Sequence, residues 1–384
     1  MTQLKLWIGS ILMLTGSIEG AIAAQPFAHP TLSTPNELHE PLSRQESLQI
    51  AHYDPEVMEA LNREIRQNPD NAEAYHQRGL LWIHVEDYEK AARDFSAEIR
   101  INPNAAEAYN FRGTALFWLE QFNEALADYN RAIELDPTLA IAYFNRGYIF
   151  RNNSEIDKAI ADFQQGAKLA QNQGESEQYQ EALVLIEDLK AIETLTHQQI
   201  FERGLNKAQT SDYIGAIADF NYVLKQSPET LEVYCERGMA KIALGQYDSA
   251  IADFNQALEI NPRYADAYNK RGQAYADSDR LQAALTDFDR ALEYDPNLAI
   301  AYYHRGRIRT QLDQSNLALQ DYTRAIALDD TLAEAYFHRG FTHYEQNNIR
   351  DAIADLQQAA NLFQTQNNLL RYRQTLSYLN MMQQ

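Results

Sequence analysis

The stretch Tyr109-Asn110-Phe111-Arg112-Gly113 (YNFRG) returns as YHQRG at 75–79, YFNRG at 143–147, YCERG at 234–238, YNKRG at 268–272, YYHRG at 302–306 and YFHRG at 336–340, with Arg203-Gly204 as an eighth pair. The glycines fall at Gly79, Gly113 and Gly147, then at Gly204, Gly238, Gly272, Gly306 and Gly340, spaced by 34 within each run. Self-similarity at such a period marks stacked supersecondary units, each too small to bury its apolar face alone.

Periodicity within the unit gives two helices. Tyr109, Arg112, Gly113 and Leu116 share one helical face, and Ala125, Tyr129, Ala132 and Ile133 form the facing stripe of a second helix. Pro103, Pro137, Pro228, Pro262 and Pro296 stand between units, where a residue that cannot continue a helix enforces the turn. Asp330 replaces the proline once, and a softer boundary is expected there.

Each arginine has an aspartate 16 residues later: Arg78 with Asp94, Arg112 with Asp128, Arg146 with Asp162, Arg203 with Asp219, Arg237 with Asp253, Arg271 with Asp287, Arg305 with Asp321 and Arg339 with Asp355. An antiparallel hairpin brings the two level, so the spacing predicts a structural ion pair that fixes hairpin register. Glycine in a helix interior costs about 1 kcal/mol relative to alanine, so its recurrence predicts close helix approach.

The register breaks once, since Gly147 and Gly204 are 57 residues apart. The extra stretch places Tyr179, Leu183, Ile186 and Leu189 on one face, and Tyr372 and Leu376 repeat Tyr179 and Leu183 at an offset of 193. Both segments are predicted to be capping helices that turn one polar face outward. The resulting plan is an N-terminal capping helix at 54–69, three repeats over 72–174, a cap at 175–195, five repeats over 197–366 and a final cap at 367–384.

A formal charge of −21 disfavours phosphate backbones, so nucleic acid is not an expected partner. Cys235 is the single cysteine, which excludes an intramolecular disulfide and a thiolate-rich metal site. Residues 1–24 combine Lys5, an apolar run from Leu6 to Leu14 and the small-x-small ending Ala21-Ile22-Ala23, the form of a cleaved export signal. Glu19 and Gly20 stop that run short of a membrane span, so no stable span is expected in the mature chain. A periplasmic location follows, with the thylakoid lumen or an uncleaved anchor as alternatives. Residues 25–53, rich in Pro, Ser, Thr, Gln and His, are predicted to be a flexible leader.

The 34-residue period with Tyr, Gly, Ala, an aromatic and a closing Pro resembles the tetratricopeptide repeat. That resemblance implies an all-α superhelix, or α-solenoid, of eight helix-turn-helix repeats with capping helices, whose first helices line a concave groove. On this pattern the groove candidates are His76, Leu80, Asn110, Phe117, Trp118, Phe144, Tyr148, Arg151, Tyr303, Arg307, Phe337, Phe341 and Tyr344, with Trp118, Phe144 and Tyr148 beside Arg151 as the leading anchor. The family's carboxylate clamp uses groove lysines; none stands after the tyrosines here, so that clamp is not expected. Glu73, His76 and Glu107 are weak candidates for a metal site, with manganese a candidate ion.

No GxxxxGK, HExxH or GxSxG motif is present, so catalysis is not expected. The segments QQGAKLAQNQ (164–173) and QQAANLFQTQ (357–366) resemble those of exported cyanobacterial tetratricopeptide proteins. The resemblance implies a protein-binding scaffold or assembly factor that holds an extended segment of a partner, with a photosystem II reaction-centre subunit as a candidate. Two other readings stay open here: a periplasmic manganese carrier, and a hydrolase accessory module.

Overall fold

The computed structural model describes residues 55–382; the export signal and the leader lie outside the described residues. Every regular element among the described residues is helical, and no helix is long and apolar enough to cross a membrane. The residues fall into two compact units divided between Gln226 and Ser227.

The first unit opens with α1 (Pro55–Gln67). Three hairpins follow: α2 (Ala72–His84) with α3 (Tyr88–Ile101), α4 (Ala106–Trp118) with α5 (Phe122–Leu135), and α6 (Ala140–Asn152) with α7 (Ile156–Gln173). Then come α8 (Ser176–Ala191), a 3-10 turn (Ile192–Thr194), and the hairpin of α9 (His197–Gln209) and α10 (Tyr213–Gln226). The second unit stacks α11 (Leu231–Ala243) with α12 (Tyr247–Ile260), α13 (Ala265–Asp277) with α14 (Leu281–Tyr294), α15 (Ala299–Gln311) with α16 (Ser315–Leu328), and α17 (Ala333–Glu345) with α18 (Ile349–Thr365). It closes with α19 (Leu369–Met382).

The repeating glycine makes each hairpin possible. A methyl group on Gly147 would lie 2.7 Å from the Phe163 ring, and one on Gly272 would lie 2.7 Å from the Phe288 ring. In the first seven hairpins the second helix thus drops an aromatic ring onto bare backbone of the first, with Phe163 and Phe288 buried as a result, and in the eighth Leu356 takes that place over Gly340. Burying such a ring is worth about 1.5–3 kcal/mol, which outweighs the roughly 1 kcal/mol helix penalty of glycine. Between hairpins the aromatics meet again: Phe95 stacks on Phe111 at 5.5 Å between centroids.

Three boundaries differ from the sequence plan. The turn at Asp330 is no softer than the others, because Thr331 N and Oγ1 donate to Asp329 Oδ1 at 2.9 and 2.6 Å, as Thr138 does to Asp136 at 2.9 and 2.7 Å. The same short-range carboxylate turn forms whether Pro137 or Asp330 stands between the two residues. The fourth hairpin belongs to the first unit rather than to the second run. Its α10 reaches back to the end of α6, where Asn221 Nδ2 donates to Asn152 O and Oδ1 at 2.7 and 2.9 Å and Lys225 Nζ to Ser154 O at 3.2 Å. The outer faces of the caps mix polar and apolar residues: α8 exposes Glu177, Gln180, Glu187 and Lys190 together with Leu183 and Val184, and α19 exposes Arg373, Ser377 and Asn380 together with Leu369, Leu370 and Leu376.

Candidate partner-binding surface

In all eight hairpins the arginine holds its aspartate through two nitrogens. Arg78 Nε and Nη2 donate to Asp94 at 2.7 and 2.6 Å, Arg112 to Asp128 at 2.7 and 2.7 Å, and Arg146 to Asp162 at 2.7 and 2.7 Å. The same fork joins Arg203 to Asp219, Arg237 to Asp253, Arg271 to Asp287, Arg305 to Asp321 and Arg339 to Asp355. Buried carboxylates tied to half-buried guanidinium groups belong to hairpin construction, not to a free ligand-binding ladder.

Two features of this network were missed in the sequence. The remaining arginine nitrogen points backwards to the preceding repeat: Arg78 Nη1 to Asn62 at 2.7 Å, Arg146 to Asn130 at 2.8 Å, Arg271 to Asn255 at 2.6 Å and Arg305 to Asp289 at 2.6 Å. The arginine therefore couples repeats as well as closing its own. The signal lay in the polar residue two places after most of the aspartates, as in Asp128-Tyr129-Asn130. Three aspartates also hold a second cation, with Lys207 at 3.0 Å from Asp219, Lys241 at 2.9 Å from Asp253 and Arg309 at 2.7 Å from Asp321. Each lies four residues after the repeat arginine, one helical turn away.

The proposed groove stripe is mostly packing. Leu80, Asn110, Phe117, Phe144, Tyr148, Arg151, Tyr303, Phe337 and Phe341 are all buried, because the residue after each tyrosine and the one a turn later bear on the next element of the stack rather than on an open wall. Asn145 of the third hairpin donates to Asn110 Oδ1 at 3.0 Å. Phe144 lies over Gly166, where a Cβ would come within 2.7 Å of its ring. Tyr148 donates to Glu181 of α8 at 3.4 Å, and Phe337 and Phe341 lie beneath Tyr378 of α19. Trp118 is half-buried and stacks on Tyr88 at 5.8 Å, and Tyr344 packs beside the Phe337 cluster. The leading anchor of Trp118, Phe144, Tyr148 and Arg151 is therefore not an accessible aromatic patch.

What stays open lies mostly in the second unit. The residue after the glycine is half-exposed in four consecutive hairpins, as Leu205, Met239, Gln273 and Arg307, the last three in the second unit, whereas Leu80, Thr114, Tyr148 and Phe341 at the same place are buried. Asp277 and Gln311 stand one turn further along α13 and α15, and Arg307 lies over the Tyr303 ring at 5.9 Å. The five of these side chains in the second unit offer a soft thioether, amides, a carboxylate and a guanidinium.

The metal candidates do not assemble. His76 Nδ1 pairs with Glu98 Oε2 at 2.9 Å, Glu73 accepts from Gln77 at 2.8 Å, and among the described residues no group of three or more His, Cys, Asp or Glu is placed to hold a metal ion. Burial opposes a charge on His76, but Glu98, with Glu107 and Glu73 nearby, raises its pKa on balance. Calorimetric titration of manganese into wild type and Glu73→Ala is expected to give the same heats; a loss in the variant would restore that trio. Cys235 is buried, which pushes its thiol up to about 12 and leaves it a poor nucleophile.

Glu181 carries a pH signature. Burial, against the Tyr148 hydrogen bond and with Glu177 adding to it, pushes its carboxyl up to about 8. A folded pKa above the unfolded one means that the contribution to stability is complete below the ordinary glutamate value and is lost as pH rises through about 8. The melting temperature of wild type is expected to fall relative to Glu181→Gln between about pH 5 and about pH 9, and a constant difference would show that the carboxyl is not buried in solution.

Sequence models agree with this architecture. The model described as TPR repeat matches residues 113–154, 238–279 and 306–347, and models of the tetratricopeptide repeat match 140–173 and 265–298, with a further one over 334–365. These segments are tetratricopeptide repeats. No curated protein matches the chain. Among solved structures it is similar to the protein MamA (24% identity, 43% of this chain and 96% of that one, TM-score 0.38). It is also similar to the thermophilic TPR protein TTC0263 of Thermus thermophilus (22% identity, 47% and 99% coverage, TM-score 0.43) and to YrrB, a TPR protein with an unusual peptide-binding site (20% identity, 64% and 97%, TM-score 0.27). The first three hairpins seal their inner stripe, while the fourth, formed by α9 and α10, and those formed by α11 to α16 leave it half-open.

Proposed function

We propose that this chain is an exported, non-catalytic scaffold that holds an extended segment of a partner protein along Met239, Gln273 and Arg307 of the second unit. The observation that carries the reading is the contrast within one stripe: packed shut at Leu80, Thr114, Tyr148 and Phe341, half-exposed over four successive repeats from Leu205 to Arg307, three of them in the second unit. One side chain per repeat suits an extended ligand. Gln273 matches backbone amides, Arg307 a carboxylate, and Met239 an apolar side chain. Export rests on the small-x-small ending after the apolar run of residues 6–14. A role in photosystem II biogenesis rests on the resemblance of residues 164–173 and 357–366 to exported cyanobacterial tetratricopeptide proteins, among them the periplasmic processing-associated type.

The precursor photosystem II reaction-centre subunit, supplied as a labelled soluble segment, is the test ligand. Saturable binding is expected, weakened about tenfold or more in a Gln273→Ala/Arg307→Ala double variant, which corresponds to losing about 1.4 kcal/mol or more. Absence of binding would remove this partner. Binding indifferent to the double variant would move the site elsewhere.

A further inference from the structure

The chain carries two capping helices of one pattern, and they are fastened differently. At the C-terminal cap, Tyr378 meets Phe341 at 4.7 Å and Phe337 at 6.2 Å between ring centroids. Arg371 clamps Glu334 through two nitrogens, and its guanidinium lies 4.6 Å from the centre of the Phe337 ring. Moving back 193 residues, the internal cap has Leu185 in place of Tyr378, Gln178 in place of Arg371 and Ile141 in place of Glu334, over Phe144 and Tyr148. The clamp is missing on both sides, and the aromatic seal has lost a ring.

The fastening that α8 does have is uneven. Its C-terminal end is anchored to α9, with Lys207 Nζ donating to Asp188 Oδ2 at 2.8 Å and Arg203 Nη1 to Asp188 O at 2.9 Å. Toward its N-terminal end, the bond from Tyr148 to Glu181 is long, at 3.4 Å. That end follows Gly174, which has φ +83° and no atom within 4 Å of where a side chain would begin, inside a run of exposed residues from 171 to 177. Arg151, 2% exposed and within electrostatic reach of Asp188, has an Nη1 with no hydrogen-bond partner. A buried guanidinium nitrogen without an acceptor is unfavourable, and the C-terminal counterpart of Arg151 is the uncharged Tyr344.

We propose that the N-terminal half of α8 is a displaceable lid over the third repeat, and that a partner's amphipathic helix takes its place, setting apolar side chains on Phe144 and Tyr148 and a carboxylate against Arg151. The occupant's chemistry is written in α8 itself, which turns Ala182, Leu185 and Ile186 inward as such a helix would. What α8 does not supply is a hydrogen-bonded anion for Arg151: Asp188, the α8 carboxylate that acts on Arg151, is held by Lys207 and Arg203, and Glu181 meets Tyr148. A carboxylate brought by the partner would give Arg151 the acceptor it is missing. The proposal rests on the scaffold reading above, but places a second contact on the first unit.

The full chain is tested by hydrogen exchange with mass spectrometry, using α19 as the internal control for α8. Amides in the first half of α8 are expected to exchange about tenfold or more faster than those in the corresponding half of α19; equal protection would overturn the lid. A synthetic peptide of residues 176–191 is then titrated into Leu185→Ser, which weakens the resident helix. Saturable binding is expected, reduced about tenfold by adding Arg151→Gln and partly recovered with Arg151→Lys. Failure to bind, or binding indifferent to Arg151, would overturn the docking site. Leu183→Ser, on the exposed face, is expected to leave both measurements unchanged. If Leu185→Ser does not fold, the exchange comparison on wild type still decides the lid, and Glu181→Ala serves as the opened variant for the peptide. Loss of the lid would leave reaction-centre binding at Gln273 and Arg307 standing, and loss of that binding would leave the exchange result standing.

Discussion

Replacing Asp321 by alanine is expected to destabilise the second unit by about 3–5 kcal/mol, the cost of stripping the acceptor from buried cations. Asp321 is buried and takes three charge-assisted bonds, from Arg305 Nε at 3.0 Å, Arg305 Nη2 at 2.7 Å and Arg309 Nη1 at 2.7 Å. Its removal takes the carboxylate from Arg309 and leaves Arg305 with Asp289 alone of its two acids. Asp128, held by Arg112 alone among the basic side chains paired with it, is expected to cost less on replacement, and the exposed Glu124 should change stability by no more than about 0.5 kcal/mol. Urea unfolding of the three variants checks the order. If Asp321→Ala and Glu124→Ala shift the midpoint equally, the pairs do not carry the hairpins.

The second large effect concerns ring and glycine. Phe288→Ala is expected to cost about 3–5 kcal/mol, as for other buried aromatics truncated in a packed core. Gly272→Ala alone is expected to cost about 1–3 kcal/mol, because its methyl would sit 2.7 Å from that ring. In the Phe288→Ala background the same methyl enters space the ring has vacated, so Gly272→Ala should become neutral or stabilising. The double-mutant cycle thus predicts a strong favourable coupling between two residues 16 apart in sequence. Additive costs would mean that the glycine is kept for some reason other than the ring.

The hairpins were legible because their cause is local and repeated. A 34-residue period, a glycine under an aromatic and an arginine 16 residues before an aspartate are relations within one unit, and the copies restate them, with Leu356 in the aromatic's place over Gly340 alone. The stripe chosen for partner binding was not legible in the same way. Phe144 and Phe337 look alike as sequence, but whether such a ring faces a partner or a neighbouring helix depends on what the chain stacks on it, and in both cases a capping helix covers that region. The half-open residues Met239, Gln273 and Arg307, of which Arg307 stood among the groove candidates, lie on that same stripe but share no residue type, so the pattern did not separate them from its buried members.

By itself, the sequence determined that this protein is built of two-helix units, where each begins, and which charges close it, since those depend on side chains one or two helical turns apart or across one short turn. The tertiary structure decided where the surface is. It assigned the fourth hairpin to the first unit, turned the leucines of α19 outward, and laid α8 over Arg151. Burial is a property of what approaches from elsewhere in the chain, and a periodic sequence states only which face of a helix is apolar.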